Sequence, residues 1–231
     1  MESTTSAAPT GRGWMGALRG VYDRADREIR GWKAALKLFR DPSRLDQVFE
    51  LDEVLDEESV RPVLEAIRSH ERGRAALASR PRVGALDLDD LSRLAPGSVG
   101  RSYAEHMRRL GLDPAAIPEK EVWDDASYAR AHLYETHDLW HVVTGFEADI
   151  AGEVGLQAFY AAQLHGRLPP VLVSGGLLHG VLTDPGDWER RLASVVRGYE
   201  MGKRAELLFG VVWRAELERP LEDLQRHLGL A

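Results

Sequence analysis

Two histidines four residues apart, His137 and His141, enclose Asp138 in the run His137-Asp138-Leu139-Trp140-His141, and Glu153 follows twelve residues after the second. On an α-helix, at roughly 100° per residue, the two histidines lie only about 40° apart, one turn above the other. Imidazoles stacked this way can grip one metal ion, as in zinc helices that carry HExxH. Asp138 sits about 100° round from His137 and about 60° from His141, so it can reach the same ion or hydrogen-bond a ligating histidine. Glu153 is too far along one straight helix to share that ion. Gly145 stands between them, and a glycine can turn the chain so that a second helix carries Glu153 back. The set His137, Asp138, His141 and Glu153 then offers two nitrogens and one or two carboxylate oxygens, which suits zinc, iron or manganese rather than soft copper.

A plainer reading of the same residues is a helix with two half-buried histidines satisfied by Asp138 and by Glu135 or Glu147. The metal reading is narrowed by comparison with known helices. In HExxH the glutamate after the first histidine is the general base, and the shorter Asp138 reaches differently. A di-iron bundle needs paired Glu-x-x-His helices, whereas one ligand pair is visible here, so a mononuclear site is expected. The chain has no cysteine, which excludes disulfides, thiolate metal sites and cysteine catalysis together. Its 30 Lys/Arg against 37 Asp/Glu give a net charge of −7, a balance that argues against nucleic acid as a partner.

The elements that must position these residues are helical almost throughout. At 231 residues with 44% hydrophobic side chains, the chain can bury a core without a metal or disulfide to hold it. The spacing predicts an all-α, compact orthogonal bundle of about eight to ten helices. Residues 1–12 read as a disordered tail, and 13–231 as one all-α domain with N-terminal helices over 13–80. Within that part, the apolar residues Trp14, Leu18, Tyr22 and Ile29 share one stripe, and basic residues surround them. Such a segment either docks on the domain or lies on a membrane surface. A further helical pattern follows Asp56 and stops near Gly73. A short helix is expected around Leu88–Leu94, then a long one from Trp123 to Val143. Beyond the pause at Gly145 come helices to Leu164, over Val171–Leu182, over Trp188–Leu208, and from Pro220 to Leu228. No stretch approaches the ~20 apolar residues that span a bilayer, and the first residues show no secretory leader.

At the histidine pair the sequence resembles the coenzyme Q (ubiquinone) biosynthesis protein 4 family, whose hallmark is HDxxH, eleven residues, then Glu. His137, Asp138, His141 and Glu153 match it without a gap. The resemblance extends to VGRSYAEHM from Val99, HDLWHVVTG, the Gly152-Glu153 pair, the Gly166/Leu168-Pro169 loop and WRAELERPLEDLQRHLGL from Trp213. It covers residues 85–231 as a core, departing where Gly166-Arg167-Leu168-Pro169 replaces a shorter Gly-Leu-Pro loop.

The resemblance implies a dimeric, all-α protein on the membrane face, holding a divalent ion, most simply zinc, through His137, Asp138, His141 and Glu153. It implies oxidative decarboxylation of a polyprenylated hydroxybenzoate, the C1 carboxylate being replaced by hydroxyl, with the motif residues catalytic. It equally implies the alternative of a non-catalytic lipid-binding scaffold that organises other quinone-biosynthesis enzymes around a structural ion. If Asp138 stays outside the ligand set, three ligands leave a position open for substrate; four ligands close a zinc site. The polyprenyl tail requires an apolar groove, for which Leu156, Phe159, Tyr160 and Leu164, with Val171–Leu178, are the candidates. His165 and His179 fall in the same region, whereas His70, His106, His132 and His227 receive no functional reading. The expected location is cytoplasmic, peripheral on the inner face of the cell membrane.

Overall fold

Side chains that accept from the first-turn N–H groups, those of Asp87, Ser98, Asp124 and Asp149, open four of the helices. The computed structural model describes residues 57–116 and 119–231. Among them are ten α-helices and no strand. Helices α1 (Glu57–Ser69) and α2 (Glu71–Ser79) precede the short α3 (Leu88–Ser92) and α4 (Val99–Leu110). The long α5 (Asp125–Thr144) is followed by α6 (Ile150–Leu164), α7 (Leu168–Thr183) and α8 (Trp188–Arg204), and the chain closes with α9 (Trp213–Glu216) and α10 (Leu221–Leu228). The all-α expectation is therefore observed. The tail over 1–12 and the basic amphipathic segment lie outside the described residues.

Helix α5 begins with a capping box, in which Asp124 accepts from the Ser127 N–H and the Ser127 side chain returns to the Asp124 backbone. It ends at Gly145, whose φ of 66° is left-handed, a conformation that costs glycine no Cβ clash. Only residues 145–149 separate α5 from α6. Asp149 then caps α6 by accepting from the Gly152 N–H at 2.8 Å. A side chain at Gly152 would overlap the Glu147 carbonyl. The bare backbone there lets the connection fold flat over the first turn of α6, the turn that carries Glu153.

The core is built around α5 and α6. Trp140 and Phe159 are fully buried, and their rings meet edge to face at 5.8 Å. Helix α8 crosses α6 at backbone distance: a Cβ on Gly198 would overlap the Gly155 carbonyl, and one on Gly202 would lie 2.8 Å from the Phe159 carbonyl. Beside that crossing Arg197 reaches to the end of α5, donating to the carbonyls of Thr144 at 3.1 Å and Gly145 at 3.0 Å. Its guanidinium also lies 4.0 Å over the Phe146 ring. Residues that cap a helix end in this way satisfy carbonyls that have no partner within the helix.

Helix α7 starts at Leu168 rather than Val171, its two prolines sitting in the first turn, and two further boundaries differ from the sequence periodicity. The pattern from Trp188 runs to Leu208, yet α8 stops at Arg204, and Ala205 is extended at ψ 149°. Leu207, Leu208 and Phe209 are buried in the core, so apolar character there reflects burial of an irregular segment rather than a helical stripe. Gln163 anchors it, donating to the Glu206 carbonyl at 2.9 Å and accepting from the Leu208 N–H at 3.0 Å. The pattern after Asp56 breaks at His70 rather than Gly73 and resumes as α2.

The α6–α8 crossing yields a stability prediction. Gly198→Val forces these backbones apart and should cost about 3 kcal/mol, or roughly 10 °C in Tm for a chain of this size, by thermal circular dichroism. Gly186→Ala, where the nearest atom lies 3.6 Å from the added Cβ, should stay within about 0.5 kcal/mol of the parent.

Candidate metal centre

The turn at Gly145 returns α6 alongside α5, and Glu153 meets the histidine pair. His141 Nε2 lies 3.1 Å from Glu153 Oε1, His137 Nε2 lies 3.8 Å from Glu153 Oε2, and the two Nε2 atoms are 3.3 Å apart. One ligand atom from each of His137, His141 and Glu153 falls within 4.8 Å of the others. His141 is almost wholly buried, while the side chains of His137 and Glu153 remain 34% and 27% exposed. The cluster therefore has a closed floor and an accessible side.

His141 has a fixed orientation. Its Nδ1–H donates to the Phe146 carbonyl at 2.9 Å. A carbonyl can only accept, so Nδ1 carries the proton and Nε2 faces the cluster. Burial pushes the His141 pKa down, but the charge and hydrogen bond of Glu153, with the Phe146 carbonyl, outweigh it and raise it to about 9. Burial likewise pushes Glu153 up, and the His141 cation outweighs it, holding the carboxyl below its usual range. His137 is held below its ordinary value by burial and by the neighbouring His141. In the absence of an ion, His141 and Glu153 thus form an ion pair, with His137 neutral beside them.

Asp138 lies outside the three-residue cluster. Its charge is felt instead by Tyr103 and His106 on α4, as well as by the site histidines. Glu135 and Glu147, the partners of the plainer reading, are engaged elsewhere. Glu135 accepts from Arg82 at 2.9 Å, and Glu147 pairs with Arg109 at 2.7 Å. The histidines are satisfied by Glu153, twelve residues on, because the hairpin brings it there.

Of the proposed groove residues, the four on α6 are found in the interior, whereas Leu178, at the end of the Val171–Leu178 stretch, is exposed. Leu156, Phe159, Tyr160 and Leu164 are all buried in the central core. Tyr160 stacks on Trp140 with centroids 4.3 Å apart and planes 7° from parallel, and its hydroxyl lies 3.4 Å from His137 Nδ1. Six exposed apolar side chains lie on two neighbouring helices: Leu178, Val181 and Leu182 on α7, and Leu192, Val196 and Tyr199 on α8. Spacings of four and three along α8 place its members on one stripe, and α7 and α8 pack on each other and on α6.

His106 was given no role by the sequence, yet its ring stacks over His141 at 5.9 Å. Its buried Nε2 has no hydrogen-bond partner among the described residues. Nothing in the local pattern VGRSYAEHM signals this, because the contact depends on how α4 crosses α5. His132, by contrast, is structural: its Nε2 accepts from the Gly210 N–H at 3.3 Å, and burial lowers its pKa to about 4. His165 is the exposed, left-handed cap of α6, and His179 contacts Thr183 on its own helix.

Comparison with known proteins adds a family to this geometry. Residues 24–231 match the family described as coenzyme Q (ubiquinone) biosynthesis protein Coq4, a match that begins well before the 85–231 core read from motifs. A mitochondrial ubiquinone biosynthesis protein coq4 from Botryotinia fuckeliana is 32% identical over 172 residues, covering 72% of this chain and 60% of the relative. The mitochondrial ubiquinone biosynthesis protein coq-4 of Neurospora crassa is also 32% identical over 172 residues, covering 72% of this chain and 48% of its own length. The match thus spans about half to three-fifths of those relatives. A crystal structure from Nostoc punctiforme PCC 73102, of a protein provisionally assigned to ubiquinone biosynthesis, superposes with a TM-score of 0.75 at 27% identity, covering 88% of this chain and 98% of that one.

The ion pair predicts a titration. In metal-free protein, His141 should titrate near 9, and Glu153→Gln should lower that midpoint markedly, because the largest charge opposing burial is removed while only Asp138 and the Phe146 carbonyl still oppose it. Histidine-selective NMR across pH 4–10 measures this; an unmoved midpoint would show that the pair is not formed.

Proposed function

The chain belongs to the coenzyme Q (ubiquinone) biosynthesis protein Coq4 family, and from that membership we propose a metal-dependent enzyme of ubiquinone-type quinone synthesis. The proposed reaction replaces the C1 carboxylate of a polyprenylated hydroxybenzoate with a hydroxyl. The observation that carries this reading is the convergence of His137 Nε2, His141 Nε2 and the Glu153 carboxylate on one partly accessible spot. Two imidazoles and one carboxylate fit zinc with a fourth position open, and iron or manganese accept the same donors. Held there, a divalent ion would supply Lewis-acid charge to an anionic oxygen of the substrate.

The chain's own groups prepare that position. The Phe146 carbonyl keeps the proton of His141 on Nδ1, and the proton on Nε2 is the one to be displaced when a ligand bond forms. Glu153 compensates the site's positive charge, and the buried floor excludes water. In the overall conversion the ring–carboxylate bond breaks, carbon dioxide leaves, and an oxygen bonds to the same carbon. The ring releases two electrons to dioxygen. One carboxylic acid, one water and one dioxygen thereby give one phenol, one carbon dioxide and one hydrogen peroxide.

The apolar side chains exposed on α7 and α8 support contact with the polyprenyl tail and with a membrane surface, since contiguous exposed apolar residues mark interaction sites. No helix among the described residues is long and apolar enough to cross a membrane, and the proposed placement is peripheral, on the inner face of the cell membrane. The same exposed stripes also favour a second reading, a lipid-binding scaffold for other quinone-biosynthesis enzymes in which the ion is structural. A homodimer, with this face in its interface, accords with either.

Purified protein given a polyprenylated 4-hydroxybenzoate should form the phenol only with both a divalent ion and dioxygen, measured by mass spectrometry. Glu153→Ala should keep its helical content while losing the ion and at least about 100-fold in turnover. If that variant loses the ion yet sustains quinone synthesis in a deletion strain, the ion is not catalytic and the scaffold reading stands. Leu182→Glu with Val196→Glu should abolish flotation with anionic liposomes while leaving ion content unchanged; unaltered flotation would remove the α7–α8 face from membrane contact, and a simultaneous fall in mass would assign it to the dimer.

A further inference from the structure

We infer that Tyr160 is the positioning residue for His137, its hydroxyl selecting which imidazole nitrogen His137 presents to the cluster. The inference rests on the reading of His137, His141 and Glu153 as an ion site. The helical register carries it. Glu153 and Tyr160 are seven residues apart on α6, and at about 100° per residue they lie only about 20° apart on its surface, two turns along. His137 and His141 are one turn apart on α5. Where α6 runs back along α5, Glu153 meets His141 and Tyr160 meets His137.

His141 has a carbonyl on Nδ1 that dictates its tautomer. Among the described residues, the group that meets His137 Nδ1 is not a carbonyl but the Tyr160 hydroxyl, at 3.4 Å. That hydroxyl is held in place. The Tyr160 ring is stacked on Trp140 at 4.3 Å and lies nearly parallel to the His137 ring, 19° from it. Burial, with the charges of Glu153 and Asp138, keeps the phenol protonated. A neutral hydroxyl can accept as well as donate.

The other side of His137 decides between the two. Its Nε2 faces His141 Nε2 at 3.3 Å and Glu153 at 3.8 Å. His141 gives its Nε2–H to Glu153 Oε1, and Glu153 Oε2 lies beyond hydrogen-bond reach of His137, so a proton on His137 Nε2 would face another N–H with no acceptor. The proton of His137 therefore belongs on Nδ1, where the Tyr160 oxygen accepts it. This tautomer is also the one an ion requires, since a ligating imidazole donates through its other nitrogen. Both histidines then present Nε2, one set by a backbone carbonyl and the other by a phenol.

Tyr160→Phe in the full chain keeps the ring and its stack on Trp140 and removes only the acceptor. In metal-free protein at neutral pH, ¹⁵N shifts should show His137 protonated on Nδ1 in the parent and moved toward the Nε2–H tautomer in the variant, with His141 unchanged. Zinc affinity, titrated against a chelating dye, should fall about 10- to 100-fold. A parent in which His137 is mainly the Nε2–H tautomer overturns the inference, and that measurement decides it even if the variant does not fold. A variant with the parent's tautomer and an affinity within threefold overturns it as well. A parent that takes up no zinc would defeat the ion reading alone, because the tautomer comparison still tests Tyr160.

Discussion

The contact between His141 and Glu153 is the constraint around which the rest of the molecule is arranged. Removing an imidazolium and a carboxylate from water is expensive, and only close, well-oriented pairing offsets it. A contact of 3.1 Å between residues on different helices demands that α5 and α6 be fixed to within fractions of an ångström. The connection is correspondingly short, and Gly145 and Gly152 permit its two tight passages. The pair also brings Nε2 and the carboxylate to where the proposed ion would take them up, each exchanging one favourable partner for another.

Helix α8 supplies the rigidity. It approaches α6 so closely at Gly155 and Gly198 that no side chain fits between the backbones, and Arg197, next in sequence, ties the end of α5 to the same place. The Phe146 ring under that guanidinium belongs to the residue whose carbonyl orients His141. Packing between two helices is thereby transmitted to a single imidazole tautomer. Polar chemistry at the cluster and apolar exposure on α7 and α8 share one support, since both α7 and α8 pack on α6.

The residues legible in advance were those whose relation is local. A spacing of four puts His137 and His141 on one face of any helix, and a glycine between two helical patterns marks a reversal, so Glu153 could be placed with them. The all-α class followed from periodicity for the same reason. The plainer pairing with Glu135 or Glu147 was equally compatible with local spacing, and only the hairpin decided against it. Tyr160 read as tail-groove lining because it sits in an apolar run, yet its hydroxyl is beside His137; whether a tyrosine turns to a lipid or to a histidine depends on the register of two helices. His106 stacks on His141 across a helix crossing that no short pattern encodes.

By itself the sequence determined the helices, the turn between α5 and α6, and the residue types able to hold an ion, because backbone hydrogen bonding, capping and 3.6-residue periodicity act over a few neighbours. The absence of cysteine confined any ion to nitrogen and oxygen donors before a fold was known. The tertiary structure alone decided that Asp138 stands outside the three-residue cluster, that Phe146 and Tyr160 lie at the Nδ1 atoms, and that Leu156, Phe159 and Leu164 are core while apolar side chains of α7 and α8 are exposed. Each of these depends on distances between helices, and those are set by which side chains are small enough, as at Gly155 and Gly198, to let two backbones meet.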